Sequence, residues 1–558
     1  MPVSGETSRM TAQARGPRRG RAARRLLGGV AALALAAAVG LSGPAARAET
    51  PADQLVVGFS MTNLLTLDPA AITGREAVQV LTNIYDGLVA LDPVNRRVLN
   101  PDLAESWTVA GDKRSITFKL RDGVTFASGN PLTAQDVVWS IQRTLKLNLA
   151  QATCWKANGF TADNVAQHVS APDASTVELR LPKPTDPQVV LYTIGNVGCG
   201  SVVDSKLVQQ NAKGDDQGAA WLNVNSAGSG AYTLRSWRSN EVLILDRSPK
   251  YWGGAAGMKR IIMRHMPESQ TQRLMLERGD IDVGYALAAP DLEALKSAEG
   301  VKVQSTRGSG FYYLAASMKD PVLSNPKVRL ALRSLIDYEG INRTIMPYYG
   351  ELRQRPIQTG FMGSLPDPGY KLDVAGAKAL LAEAGHPDGF SVTLRTLSEP
   401  PFQNIATAIQ ATLAQAGIKA DMISGSGDQI YGAMRSRDFQ LLVGRGGGGQ
   451  QPHPESNLRA IVYNPNNSDE AKLTNFQGWR TSFFDPELNG MIEAALLEPD
   501  QAKQEALYQQ IQRRYEEVVP AIQPISEVTD SLAFRADVQN LVINPAWSTD
   551  LSVVTKAR

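Results

Sequence analysis

Apolar and polar positions along this chain switch repeatedly between two periods. Runs with strand-like patterning occur at Leu55–Phe59, Ile116–Leu120, Val177–Leu181, Val242–Asp246, Ile261–Arg264, Tyr312–Ala316, Val392–Arg395 and Phe439–Val443. Between them, apolar residues recur every three or four positions, as on one face of a helix. Val328, Leu332, Leu335 and Ile336 form such a stripe after Asn325-Pro326. Phe402, Ile405, Ile409 and Leu413 form another, ended by Gly417. Asp373–Ala384 stops at Gly385, Asp485-Pro486 opens a helix that turns Met491, Ile492, Ala495 and Leu496 inward, and Gln501–Val518 runs up to Pro520. Thr133 with Asp136 three residues on is a helix-start pair, and Arg121-Asp122-Gly123 is a turn. Asp68-Pro69 is expected to stop the first strand, since proline drives the preceding residue out of the helical region. Strands alternating with helices predict an α/β fold. No tandem repeat is visible.

The first 48 residues break this pattern. They carry eight arginines and one acid, Glu6, then an apolar run from Leu26 to Leu41, then Ala46-Arg47-Ala48. This is the layout of a cleaved secretory signal, and the run falls short of the roughly 20 residues that span a bilayer. Arg24-Arg25-Leu26-Leu27 weakly resembles a twin-arginine signal, and no cysteine near the cut offers a lipid anchor. The mature chain is expected to begin near Glu49, in the periplasm. Taking away eight of 57 basic and one of 55 acidic residues leaves 49 and 54, a net charge of −5. The apparent basicity thus belongs to the leader, and nothing favours a nucleic-acid partner. The remaining 510 residues are enough for several domain-sized cores.

Cys154 and Cys199 are the only cysteines. Either they form one disulfide or they are two buried thiols. Export and their loop-like surroundings favour the bridge, worth about 4 kcal/mol if unstrained. A catalytic constellation is not apparent. His168, His265, His386 and His453 are widely separated, with no paired metal-ligand spacing. Ser229 lies in Gly-Ser-Gly rather than a nucleophile elbow. Arg445-Gly446-Gly447-Gly448-Gly449 lacks the Lys-Ser/Thr of a phosphate loop. No catalytic residue, metal or cofactor is therefore assigned.

The order of several phrases carries more information than any one of them. Leu67-Asp68-Pro69-Ala70 is followed by Asn83-Ile84-Tyr85-Asp86-Gly87-Leu88-Val89 and Pro101-Asp102-Leu103-Ala104-Glu105-Ser106-Trp107. Later come Gly228-Ser229-Gly230-Ala231-Tyr232, Tyr251-Trp252-Gly253-Gly254 and Gly279-Asp280-Ile281-Asp282. Joined in this order they resemble the peptide, nickel and opine class (family 5) of extracellular solute-binding proteins of bacterial ABC importers. The resemblance implies a two-lobed α/β periplasmic-binding-protein fold with three nominal domains and a ligand cleft. Domain I would comprise residues 49–91, 226–305 and 526–558, domain II residues 92–225, and domain III residues 306–525. It implies a monomer that captures a small polar solute and passes it to an inner-membrane permease. The alternative is an enzyme, sensor or chaperone on the same scaffold.

The resemblance also implies where the ligand lies, through Asn63, Leu64, Arg353, Phe402, Arg445, Gly446, Gly447, Gly448, Gln450 and Trp479. Trp155 and Trp479 offer stacking surfaces or fill the core. Two departures from the family pattern bear on specificity. Where peptide-binding relatives place an aspartate for the ligand ammonium, this chain has glycine near Gly448, with Arg445 in place of a tryptophan. The arginine that dipeptide binders carry after Val392–Arg395 is missing from Leu397–Gln403. Both departures turn the expected preference from a buried ammonium toward a neutral or anionic group, with weak binding of unmodified dipeptides. Arg353 and Arg355 are candidates to join Arg445 as a clamp. The glycines leave room for a close ligand.

Overall fold

Two long strands run side by side and belong to both halves of the molecule. Val301–Ala316 and Ile522–Arg535 are antiparallel, from Val301 opposite Arg535 to Ala315 opposite Ile522. The computed structural model describes residues 49–448, 451–545 and 548–558, so the expected signal peptide lies outside the described residues. Around this pair an eleven-stranded mixed sheet is assembled. On one side Leu441–Gly446, Ser391–Leu397 and Lys419–Gly425 follow outward. On the other side come Val283–Tyr285, Gln54–Phe59, Arg260–His265, Val242–Arg247 and Tyr232–Arg238. The ladder shifts register between Arg307 and Phe311. Gly310 there has φ +90°, and a Cβ on it would sit 2.6 Å from the Gly446 carbonyl oxygen, so the chain crosses between halves at a bulge that needs glycine.

Each half has its own interior. One core joins residues near the start of the described chain, such as Leu55 and Phe59, to Leu243, Ile261 and Val283, and to Leu532, Leu551 and Val554. A second core, Leu88 to Val202, fills the space between the helix Ala134–Lys146 and a four-stranded antiparallel sheet containing Ser115–Leu120 and Thr176–Arg180. The third core spans Phe311 to Val528. Val203, Val208 and Leu222 pack in the first core, although they fall within residues 92–225. We refer to the first two cores together as lobe one and to the third as lobe two.

Several sequence phrases become legible as packing. Asp68 does not end the first strand, which stops at Phe59. Instead its carboxylate accepts two bonds from Arg143, at 3.0 and 2.6 Å, with both side chains about 1% exposed. Asp136 accepts from the Thr133 amide and hydroxyl, as a helix-start pair should. Asp282 is buried completely. It accepts from the Val56 amide and Thr50 Oγ1, and lies 2.7 Å from Lys556 Nζ and 3.3 Å from Arg558. The Cys154–Cys199 disulfide is formed, with Cα atoms 6.5 Å apart, and Trp155 is fully buried beside it, donating to the Cys199 carbonyl.

Removing one partner of a buried ion pair strands the other charge, at about 3–5 kcal/mol. Asp68→Ala is therefore expected to lower stability by that amount in urea titration. Replacing both Asp68 and Arg143 by leucine should lose markedly less than the single change.

Candidate functional site

The two lobes face each other across the long strands, and charges gather at that seam. Arg445 lies on Leu441–Gly446 opposite Tyr312 of Val301–Ala316. Its guanidinium stands 5.9 Å from the Tyr312 ring centre, and Tyr312 packs on Phe402 at 5.4 Å. The Tyr431 hydroxyl closes on the Arg445 backbone, accepting from its amide at 2.9 Å and donating to its carbonyl at 3.2 Å. From lobe one, Arg75 at the head of the helix Arg75–Leu81 donates to Asp530 Oδ1 at 2.7 Å. Asp530 belongs to Ile522–Arg535. Among the described residues no carboxylate comes within ion-pair distance of Arg445. Burial, and next the positive charge of Arg75, push its guanidinium below the usual arginine range. Beside Arg75 lies a hollow of about 310 Å³, closed by Val78, Asn196, the disulfide and Gln451 of lobe two.

The expected ligand residues do not all come to this place. Arg445 and, through Tyr312, Phe402 do, though Phe402 is only 7% exposed. Arg353 does not. Its guanidinium gives hydrogen bonds to Ile357 O, Leu365 O, Asp367 and Ser364, which uses every donor it has. Arg355 is likewise held by Pro366 O and Glu516. The two arginines stitch the irregular 353–367 segment to itself and to the long helix Gln501–Val518, so the expected clamp is not built from them. Leu64 is in the first core, and its neighbour Leu65 is the exposed one, at 74%. Asn63 is exposed and donates to Glu76. Trp479 is buried, its indole given to Ser468 O and its face covered by Arg437 at 4.6 Å. Gln450 lies outside the described residues.

The glycine tract also reads differently in three dimensions. A Cβ on Gly446 would meet Gln477 Nε2 at 2.0 Å, and one on Gly447 would meet Ile461 Cγ2 at 2.5 Å. One on Gly448 would meet the Gly310 amide nitrogen at 2.9 Å, and Gly447 has φ +88°. Neighbouring protein, rather than room for a ligand, accounts for the absence of side chains at 446–448. Arg75 is a charged residue of this seam that the sequence reading did not single out. It sits in Thr73-Gly74-Arg75-Glu76, an ordinary helix start with no motif to mark it.

Beyond the charged seam, the lobes are fastened along a second line. Asp186 caps the helix Pro187–Ile194 of lobe one. Its Oδ2 accepts from Gln504 Nε2 of lobe two at 3.0 Å and stands 3.4 Å from His453 Nε2, an ion-pair approach without hydrogen-bond alignment. Burial alone raises the Asp186 carboxyl, but His453, the Gln188 amide and Gln504 outweigh it and hold it below the usual range. His453 is about 1% exposed, between the rings of Tyr192 and Tyr508. Its Nδ1 accepts the Glu455 amide and so starts the helix Pro454–Ile461. Gln451 donates to Thr193 on the same lobe-one helix at 2.8 Å. The segment that follows Arg445 is thus the one that grips lobe one.

A separate hollow of about 390 Å³ lies within lobe one and collects the shared phrases instead. Asp86 accepts from Ser229 at 2.8 Å and Trp252 Nε1 at 2.9 Å, and Arg121 stacks on Trp252 at 4.8 Å. Burial raises the Asp86 carboxyl to about 6, its hydrogen bonds notwithstanding. Burial, with Asp86 nearby, likewise raises Asp102. Among the described residues no group of three or more His, Cys, Asp or Glu is arranged to hold a metal, and no helix is long and apolar enough to cross a membrane.

Residues 98–469 match the family of bacterial extracellular solute-binding proteins, family 5 Middle, and the chain belongs to it. Among curated relatives, the probable D,D-dipeptide-binding periplasmic protein of Escherichia coli (strain K12) is 27% identical over 528 residues, 92% of this chain and 96% of its own. Heme-binding protein A of Haemophilus influenzae is 26% identical over 420 residues, 71% of this chain and 73% of its own. Among solved structures, HbpA2 from Haemophilus parasuis superposes with a TM-score of 0.77 at 23% identity, covering 90% of this chain and all of that one, which shows the shared fold.

Two measurements probe these contacts. Asp186→Ala removes the carboxylate that accepts from Gln504 and stands beside His453, so small-angle scattering of the ligand-free variant should give a larger mean radius of gyration than wild type. Asp86 is protonated in the fold up to about pH 6 but ionises near 3.8 when unfolded. Its contribution to stability is full below pH 3.8, declines as pH rises, and is lost above 6. Melting curves between pH 4 and 7 should show that decline in wild type and a shallower one in Asp86→Asn.

Proposed function

We propose that this chain is the exported receptor of an ABC importer, and that its cleft holds a small solute through an anionic group, a carboxylate above all, set against Arg445. The observation that carries this is the Arg445 guanidinium itself. It is half-buried, under the influence of the second cation Arg75, with an aromatic ring beside it and no carboxylate within ion-pair distance among the described residues. A buried cation without a counter-charge is costly, and an incoming anion supplies what the protein leaves out. The relatives named for a D,D-dipeptide and for haem take molecules that carry carboxylates, which fits this reading. The solute class is peptide-like, opine-like or a modified sugar acid. The receptor acts as a monomer in the periplasm, matured near Glu49, and makes or breaks no bond. Its permease takes the solute from the closed cleft.

Calorimetry with D-alanyl-D-alanine, its N-acetyl derivative and its C-terminal amide tests the charge preference. The N-acetyl derivative, which keeps the carboxylate and lacks the ammonium, should bind at least as well as the free dipeptide, and the amide should bind worst. Arg445→Ala should cost about 2–5 kcal/mol for a carboxylate ligand, as expected for a desolvated charge pair. Amide and acid binding equally, with no effect of Arg445→Ala, would count against an anion site. Recovery of the probe chemically unchanged at one-to-one stoichiometry separates binding from catalysis.

A further inference from the structure

One hydroxyl at the second line of interlobe contacts is bonded from both lobes at once. Thr193 is fully buried on the lobe-one helix Pro187–Ile194. Its Oγ1 donates to the Val189 carbonyl at 3.0 Å and accepts twice, from Asn158 Nδ2 at 3.0 Å and from Gln451 Nε2 of lobe two at 2.8 Å. A hydroxyl offers one hydrogen and two lone pairs, so these three bonds fill it. Asn158 is buried as well, and it also donates to the Cys154 carbonyl at 2.9 Å. Cys154 lies on the helix Ala152–Ala157. Its disulfide ties that helix to Cys199 in the short helix Val197–Gly200, which follows Pro187–Ile194 in the chain. The hydroxyl that receives lobe two is thus held in place by the disulfide-linked part of lobe one.

Gln451 is fixed at its own end too. The Ser456 hydroxyl, on Pro454–Ile461, lies 2.9 Å from the Gln451 carbonyl. The backbone of Gln451 therefore stays with lobe two while its amide reaches lobe one. The same residue closes the hollow of about 310 Å³ beside Arg75. Its other walls, among them Thr73, Val78, Gln151 and the disulfide, belong to lobe one, so among the described residues Gln451 is what lobe two contributes to that wall. We infer that Gln451 is the latch of the cleft: its bond to Thr193 shuts the hollow over a captured solute, and Asn158 and the disulfide hold the socket. When the lobes part, this bond breaks and the hollow loses its lobe-two wall. Entry takes place before the bond exists, whereas release requires that it break, so the latch acts on release. What is captured rests on the anion-site reading above. The contact between the lobes does not, and is testable without any solute.

The experiment compares the mature chain with Gln451→Ala, Thr193→Val, Thr193→Ser, and Gln451→Ala combined with Thr193→Val. Gln451 is only half-buried and belongs to none of the cores, so its truncation leaves them intact. In stopped-flow kinetics with N-acetyl-D-alanyl-D-alanine, Gln451→Ala should release the probe about tenfold faster, as loss of one buried hydrogen bond predicts, with association within about twofold of wild type. Thr193→Val should do the same, and the double variant should be no faster than either single one, because both changes remove one bond. Thr193→Ser keeps the hydroxyl and should stay near wild type. Without the probe, small-angle scattering should give Gln451→Ala a larger mean radius of gyration than wild type and leave Thr193→Ser unchanged. Release at the wild-type rate in Gln451→Ala, or a double variant whose effect is the product of the two single ones, overturns the latch. If wild type does not bind the probe, the solute reading fails and scattering alone decides: a Gln451→Ala radius equal to that of wild type overturns the latch, and a larger one upholds it.

Discussion

The antiparallel pair Val301–Ala316 and Ile522–Arg535 is the constraint on which the rest depends. Its hydrogen-bonded register fixes which residues of lobe one can ever meet which residues of lobe two. At one end it carries Val283–Tyr285 and the first core, at the other Leu441–Gly446 and the third. Between the two ends the ladder is interrupted at Gly308-Ser309-Gly310. A sheet that is continuous on both sides of such an interruption transmits position well and bending easily.

The electrostatics follow from this geometry. Arginines are abundant across the seam, but most are spent. Arg353 and Arg355 hold irregular backbone, Arg437 covers Trp479, and Arg307 is paired to Glu351 and Glu527. Arg445 is set apart because its strand neighbour offers only a ring. The comparison between Arg353 and Arg445 shows why a count of cations says little about a site. Arg353 is buried with every donor answered by protein oxygen, whereas Arg445 is half-buried and no hydrogen bond of its guanidinium to protein is seen among the described residues.

Much of the architecture was readable from periodicity and caps. The helix Gln501–Val518 matches its sequence-derived bounds, Asp373 and Asn325 cap where expected, and six short strands fall within a residue or two of their patterns. The long pair was readable only at Tyr312–Ala316. Val301-Lys302-Val303-Gln304 alternates briefly, but Ser305, Thr306 and Arg307 follow with nothing apolar, and Ser526, Glu527 and Asp530 look like loop residues although all three are buried. A strand that passes from one core through a polar seam into another has no single buried face, so the two-residue period disappears. The site was half legible for a related reason. Arg445 stood out because it departs from a family phrase. Arg75 departs from nothing, and its ion pair exists only once Asp530 is brought beside it from 455 residues away.

Asp282 has a consequence for how the molecule comes to exist at all. Its carboxylate is shared by Thr50, the Val56 amide, Lys556 and Arg558, so the two ends of the described chain are locked by one buried group in the middle. Until residues 556–558 are available, that carboxylate has no cation to neutralise it, and lobe one stays unsealed however complete its strands are. The contact spans more than 500 residues of separation, between Thr50 and Lys556. Sealing therefore comes late in folding, after the slow search that so distant a contact demands. Lobe one therefore remains open, and pliable, until residues 556–558 are in place.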